Sequence, residues 1–274
     1  MSLEPSLANL AIVGTRHCLS RQNEGRRDSR AADARRGSGS VVLLFLKAPR
    51  PGFVKTRLAK SVGLQGAVQL HRAFAADLLE WLAALRGVET RILFAPLDGL
   101  ADCSRLLPPG VPGRFAWEPQ ARGDLGSRLA AAFSTAFARG AKRVIAIGAD
   151  APLLGPSLIR QALRVLRRRD AVLGPATDGG YYLVGLRREE PRIFRGIPWS
   201  TAAVLGETLR RIEGARLSRA LLPPLGDVDT GADLERLRED LLDRWHHPGP
   251  EPFPLRTFRI LAWMPAGPGP TGRR

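Results

Sequence analysis

Lys47, Lys55 and Arg57 stand at the two ends of an eleven-residue stretch, Lys-Ala-Pro-Arg-Pro-Gly-Phe-Val-Lys-Thr-Arg. Two prolines and a glycine stiffen it. Converging cations on a stiff loop suit an anion with several oxygens, such as a diphosphate. A solvated basic turn is the alternative reading.

Four further segments carry side chains that could complete a site for such a ligand. Asp150 follows the apolar run Ile145-Ala-Ile147 within Gly148-Ala-Asp-Ala-Pro-Leu153. Hard cations such as Mg²⁺ or Mn²⁺ take oxygen ligands, often one or two carboxylates plus phosphate; Asp before a proline is also an ordinary turn former. Asp227 and Asp229 alternate in Gly226-Asp-Val-Asp-Thr230, so an extended backbone would aim both at one ion, although either could cap the helix that follows. Asp178-Gly179-Gly180 reads as a hairpin turn, with Asp178 free to accept hydrogen bonds from sugar hydroxyls or to act as a base. Gln120 and Gly123 precede an Ala-rich helix. The Gln amide can both donate and accept, as recognition of a base requires, and Asp124 reads as the helix N-cap.

These segments need a scaffold that brings them together, and the chain supplies alternating elements. Val41–Leu46, Thr90–Ala95, Arg114–Trp117, Arg143–Gly148, Ala171–Gly174 and Tyr181–Gly185 read as strands. Helical periodicity covers about Gln65–Arg86, Leu100–Leu107, Leu125–Arg139, Pro156–Arg169, Thr201–Ile212 and Asp233–Leu242. Alternation of this kind predicts an α/β, three-layer, Rossmann-like fold with a mainly parallel central sheet. The basic loop and Asp150 would then leave the carboxyl edge of that sheet, where such folds bind ligands. Residues 1–40 read as a disordered basic tail, 41–245 as the folded domain, and 246–274 as a Pro/Gly-rich, mostly irregular tail in which Phe258–Met264 could still pack on the domain.

Composition narrows the function classes. The net charge of +16 is dispersed: residues 1–40 and 246–274 carry +3 each, and the rest is spread over many helices instead of one stripe. That distribution argues against a nucleic-acid binder. The six-residue run Val41–Leu46 is far short of the ~20 apolar residues of a membrane span. The first residues lack a basic region ahead of an apolar one, and Cys18 and Cys103 form no disulfide framework. A cytoplasmic protein is the expectation. No G-x-x-x-x-G-K-[ST], G-x-G-x-x-G after the first strand, or G-x-S-x-G is present.

Together, K-x-P-x-P-G-x-V-K-T-R-L, Q-x-x-G-D-L-G-x-R, G-A-D-x-P-x-L, G-P-A-x-D-G-G-Y-Y-L-x-G-L and D-V-D-T, in this order over residues 41–243, resemble a bacterial GT-A-type glycosyltransferase family of unassigned function. That family belongs to the nucleotide-diphospho-sugar transferase superfamily, and some members are encoded near radical-SAM proteins. The resemblance implies a metal-dependent transferase that uses a nucleotide-sugar or nucleotide donor and a small-molecule acceptor. Lys47, Lys55 and Arg57 would hold the phosphates, Gln120 and Gly123 the base, and Asp150 the divalent metal with Asp229 as second ligand. Asp150 and Asp178 are the expected catalytic acids. Glycosyl transfer is the favoured reaction; guanylyltransferase-like nucleotidyl transfer, known in the same superfamily, is the alternative. The first loop has proline where related nucleotidyltransferases carry glycine, and Gly-Ala-Asp stands where many glycosyltransferases have D-x-D.

Overall fold

The computed structural model describes residues 39–111 and 115–264; the expectations for 1–38 and 265–274 lie outside the described residues. Strands β1 Ser40–Lys47, β2 Glu89–Ala95, β3 Ala116–Pro119, β4 Arg143–Gly148, β5 Ala171–Pro175, β6 Tyr181–Leu186 and β7 Arg219–Leu221 form one sheet in the order β3-β2-β1-β4-β6-β5-β7. β1 runs parallel to β2 and β4, β3 to β2, and β7 to β5, while β6 is antiparallel to both of its neighbours. The sheet is thus mainly parallel, as the alternation of elements predicts.

The helices are α1 Ala59–Ala83, α2 Leu100–Ser104, α3 Leu125–Ala138, α4 Pro156–Val165, α5 Val204–Gly214, α6 Gly231–His246 and α7 Leu255–Trp263. Period-two alternation in β1 distributes its side chains to two cores. Val42, Leu44 and Leu46 pack with Leu78 and Leu79 of α1 and Ile159 of α4. Val41 and Leu43, on the opposite face, meet Leu129 and Phe133 of α3. A third cluster joins α1 (Leu70, Phe74) to α6 (Leu234, Leu237, Leu241) and α7 (Leu261).

Chain order reverses at β1: the chain passes from β1 to β2 and β3 on one side and later returns to β4 on the other. The loops leaving β1 and β4 therefore diverge from a shared point, opening a crevice between them at their carboxyl ends. That point is where the basic loop and Asp150 meet.

Three segments differ from the sequence expectation. The first long helix begins at Ala59, but Gly63 (φ 73°, ψ 164°) breaks it, so regular periodicity starts near Gln65. β7 has three residues, too few for a periodic signal. The stretch read as a mostly irregular tail folds in part into α7, which packs its Thr257 and Leu261 inward.

Candidate functional site

The loop after β1 is fastened before it reaches the crevice. The Ala48 N–H donates to Ala95 O (2.7 Å) and the Arg50 N–H to Ala48 O (2.8 Å). The Arg50 guanidinium meets Asp102 at 2.7 Å and Asp98 at 3.0 Å. Val54 and Leu58 are buried on either side of the next turn. Between them Lys55 takes φ +49°, a left-handed conformation that costs a non-glycine residue about 1–2 kcal/mol. From this backbone its side chain points inward.

Lys55 consequently ends among carboxylates. Its side chain is 2% exposed, and Nζ lies 2.6 Å from Asp150 Oδ1 and 3.2 Å from Asp229 Oδ1. Its stem passes the Phe74 ring, with Nζ 5.8 Å from the centroid. Burial works against the ammonium, but Asp150 and Asp229 outweigh it and raise its pKa above the ordinary value. Burial likewise opposes ionisation of Asp150, yet Lys55, and after it His71, hold that carboxyl below the usual range.

Local backbone chemistry explains how Asp229 arrives. The Val228 N–H donates to Asp150 O at 3.3 Å, and the Val228 side chain is buried, which leaves its two neighbours facing the crevice. α6 is capped by Thr230: its Oγ1 accepts the Asp233 N–H (3.2 Å), and Asp233 accepts the Thr230 N–H (2.7 Å). That reciprocal pair satisfies the helix start, so neither Asp227 nor Asp229 is consumed as the cap. Burial, then Asp150 and Asp178, push the Asp227 carboxyl up to about 7; Asp229 adds to the shift and Lys55 opposes it.

Lys47, Lys55, Arg57, Gln120, Asp150 and Asp229 all line one cleft of about 480 Å³, with Asp227, His71, Arg128, Tyr181 and Ser200. Such a volume suits a small ligand. Lys47 and Arg57 are exposed, and neither has an ion-pair partner among the described residues. Two expected residues stand off this wall. Gly123 (φ +106°) presents its carbonyl to Arg128 Nε at 2.9 Å. Asp178 closes the β5–β6 turn by accepting the Gly180 N–H at 2.9 Å. Gln120 is partly committed: Nε2 donates to Leu93 O (2.8 Å) and Oε1 accepts from Arg128 (3.4 Å). One amide N–H remains for a ligand.

Two carboxylates, of Asp150 and Asp229, converge on one point with Asp227 lining the same cleft, which is the oxygen chemistry a hard divalent cation takes. At that point stands the Lys55 ammonium. Among the described residues no group of three or more His, Cys, Asp or Glu side chains is arranged around a single metal position.

The fold brings in one residue that the sequence expectations do not name. His71 of α1 is 3% exposed, and its Nε2 lies 3.0 Å from Lys47 O. A carbonyl can only accept, so Nε2 carries the hydrogen, and the buried Nδ1 has no partner among the described residues. Its spacing with Leu70, Phe74 and Leu78 is that of a core position, which hid it. Ser200 (φ +66°) was equally hidden; its segment precedes α5, which starts at Val204 and not at Thr201.

Comparison with known proteins bears on the family and the fold. Residues 78–201 match the family described as an uncharacterized protein conserved in bacteria (DUF2064). The crystal structure of a candidate nucleotide-diphospho-sugar transferase from Desulfovibrio desulfuricans G20 is 36% identical, with a TM-score of 0.73, over 82% of this chain and 94% of that one. The 4-diphosphocytidyl-2C-methyl-D-erythritol synthase of Anaerococcus prevotii DSM 20548 shares the fold at 8% identity and a TM-score of 0.50, over 75% of this chain and 100% of that one. No curated protein matches. The chain belongs to the DUF2064 family of proteins resembling nucleotide-diphospho-sugar transferases, with their α/β fold and mainly parallel sheet.

Proposed function

We propose that the chain is a metal-dependent transferase that takes a nucleotide-diphospho-sugar as donor and passes the sugar to a small-molecule acceptor. The observation that carries this reading is the division of the cleft: Lys47 and Arg57, two cations without an ion-pair partner among the described residues, line the same crevice as the carboxylates of Asp150 and Asp229. The 36% identity to the Desulfovibrio protein supports the choice of donor.

Glycosyl transfer leaves negative charge on a nucleoside diphosphate. Lys47 and Arg57 would bind and neutralise that charge from one side. Asp150 and Asp229, with Asp227 beside them, would hold Mg²⁺ or Mn²⁺, which when bound supplies Lewis-acid stabilisation to the same diphosphate. Gln120 would offer its remaining N–H to the base, with Gly123 keeping the adjacent backbone close. Asp178, which stands off the cleft wall but acts electrostatically on Asp227, would meet sugar hydroxyls of a donor that extends toward the hairpin.

A thermal-shift screen of nucleotides and nucleotide-sugars, with and without Mn²⁺, tests binding, since a ligand specific to the native state raises Tm. The reading expects the largest shift from a nucleotide-sugar with Mn²⁺, and release of the nucleoside diphosphate on turnover. Release of pyrophosphate from a nucleoside triphosphate would instead assign nucleotidyl transfer. Asp150→Asn should lose the Mn²⁺-dependent part of the shift; because it also removes a charge partner of the buried Lys55, its own ligand-free Tm, lowered by that loss, is the baseline for the comparison. Undiminished Mn²⁺-dependent binding in that variant would remove Asp150 from the metal site.

A further inference from the structure

Lys55 is not where a phosphate-binding lysine would wait. Lys47 and Arg57 are exposed at the cleft, whereas Lys55 is folded beneath it with 2% of its side chain exposed. The chain accepts a left-handed backbone at Lys55 to place it there. Both carboxylates it touches still open into the cleft, Asp150 with 56% and Asp229 with 42% of the side chain exposed. The ammonium therefore plugs the acidic group from below, at the point on which the two carboxylates converge.

Charge balance gives the plug a consequence. Without Lys55, a divalent cation would meet Asp150 and Asp229 as two full negative charges, with Asp227 adding to them. With Lys55 in place one of those charges is already cancelled. A bare divalent ion then gains less from the carboxylates and must also compete with an ammonium at hydrogen-bonding distance. A metal carried on a nucleoside diphosphate arrives with several negative charges of its own. Those phosphate oxygens offer Lys55 a new partner within the same cleft, so its release from the aspartates is compensated.

We infer that Lys55 is a built-in counter-ion that suppresses binding of free divalent metal and reserves the Asp150–Asp229 pair for a metal–nucleotide complex. This rests on the metal-dependent donor binding proposed above, and it adds the form in which metal enters: together with the nucleotide, not ahead of it.

The test is binding of Mn²⁺ alone to nucleotide-free protein, followed by loss of the free-ion electron paramagnetic resonance signal. Wild type should bind weakly. Lys55→Met, which keeps the buried stem and removes the charge, should bind Mn²⁺ at least about tenfold more tightly, and adding Asp150→Asn should abolish the gain. Lys55→Gln retains N–H donors for both aspartates and serves if the Met variant does not fold; the loss of charge carries the same expected direction. Equal Mn²⁺ affinity in wild type and in the charge-free variants, with Asp150→Asn weakening all of them, would overturn the counter-ion role and leave the metal site standing. No Mn²⁺ binding by any variant, together with no Mn²⁺-dependent thermal shift from any nucleotide, would overturn the metal reading and this inference with it.

Discussion

Asp227 stands among Asp150, Asp178 and Asp229, and its carboxyl is pushed up to about 7 from an ordinary 3.8, first by burial and then by those neighbours. Between these two values the folded protein holds a proton that the unfolded chain has released. Stability therefore falls as pH rises through this window and levels off above about 7. His71 acts in the opposite sense. Burial lowers its pKa below 6.5, so its contribution is lost as pH drops through and below that value. The difference between wild type and Asp227→Asn isolates the carboxylate. In metal-free urea denaturation the variant should be the more stable at pH 8, by on the order of 2 kcal/mol, with the advantage vanishing near pH 4. A constant difference across pH would exclude a raised Asp227. At this scale the sequence showed residue types but not their directions. Lys55 sat in the basic loop on the same terms as Lys47 and Arg57; its left-handed backbone between the buried Val54 and Leu58 leaves no mark in residue type. His71 stands one position from Leu70 on the buried side of α1, but the Lys47 carbonyl it meets lies on another element and leaves no periodic signal.

The hairpin between β5 and β6 shows where element-level legibility ends. Asp178-Gly179 between two apolar runs predicts a turn, and the turn is there, closed by Asp178 and the Gly180 N–H. What the pattern omits is the turn's tertiary partner. Gly179 takes φ +89°, its carbonyl accepts the Leu205 N–H (2.9 Å), and a Cβ on it would fall 2.3 Å from Ala202 O. The turn thus fastens the segment that carries Ser200 to the cleft wall. Gly140 offers the control, with a similar φ of +90° and open space around its missing Cβ. Gly140→Ala should cost about 1 kcal/mol from backbone strain alone. Gly179→Ala adds a backbone clash that requires movement, and should cost about 2–4 kcal/mol while weakening ligand binding. Equal costs in chemical denaturation would mean that the Ala202 contact yields freely. Strand order followed the same division. Apolar runs located the strands, but the antiparallel insertion of β6 between β4 and β5 depends on the hairpin's direction of exit, which periodicity does not carry.

Across the whole molecule, α1 connects the cleft to the C-terminal helix. Phe74 lies under Lys55 and also belongs to the cluster containing Leu261 of α7. One turn further along α1, Asp77 is 3% exposed and holds the start of α7: it accepts the N–H groups of Arg256 (3.2 Å) and Thr257 (2.9 Å), the Thr257 hydroxyl (2.8 Å) and the Arg256 guanidinium (3.2 Å). The four prolines at 248, 250, 252 and 254 disguise this helix in the sequence, because a Pro-rich approach reads as an irregular tail and nine residues give little periodicity. Its anchor lies 180 positions away, on a helix whose apolar stripe gives no reason to expect a carboxylate. Removing that carboxylate leaves buried donors without acceptors, a loss of about 3 kcal/mol. Asp77→Ala should lower stability by about that amount and raise amide exchange in Leu255–Trp263 ahead of the sheet. Asp77→Asn keeps an acceptor oxygen for the backbone N–H groups and should lose roughly half as much. Because Phe74 bridges the two regions, freeing α7 should also loosen the floor beneath Lys55, and Asp77→Ala should bind Mn²⁺ plus nucleotide more weakly than Asp77→Asn. If α7 exchanges freely while ligand binding is unchanged, the cleft is mechanically independent of the C-terminal helix and the coupling through Phe74 is absent.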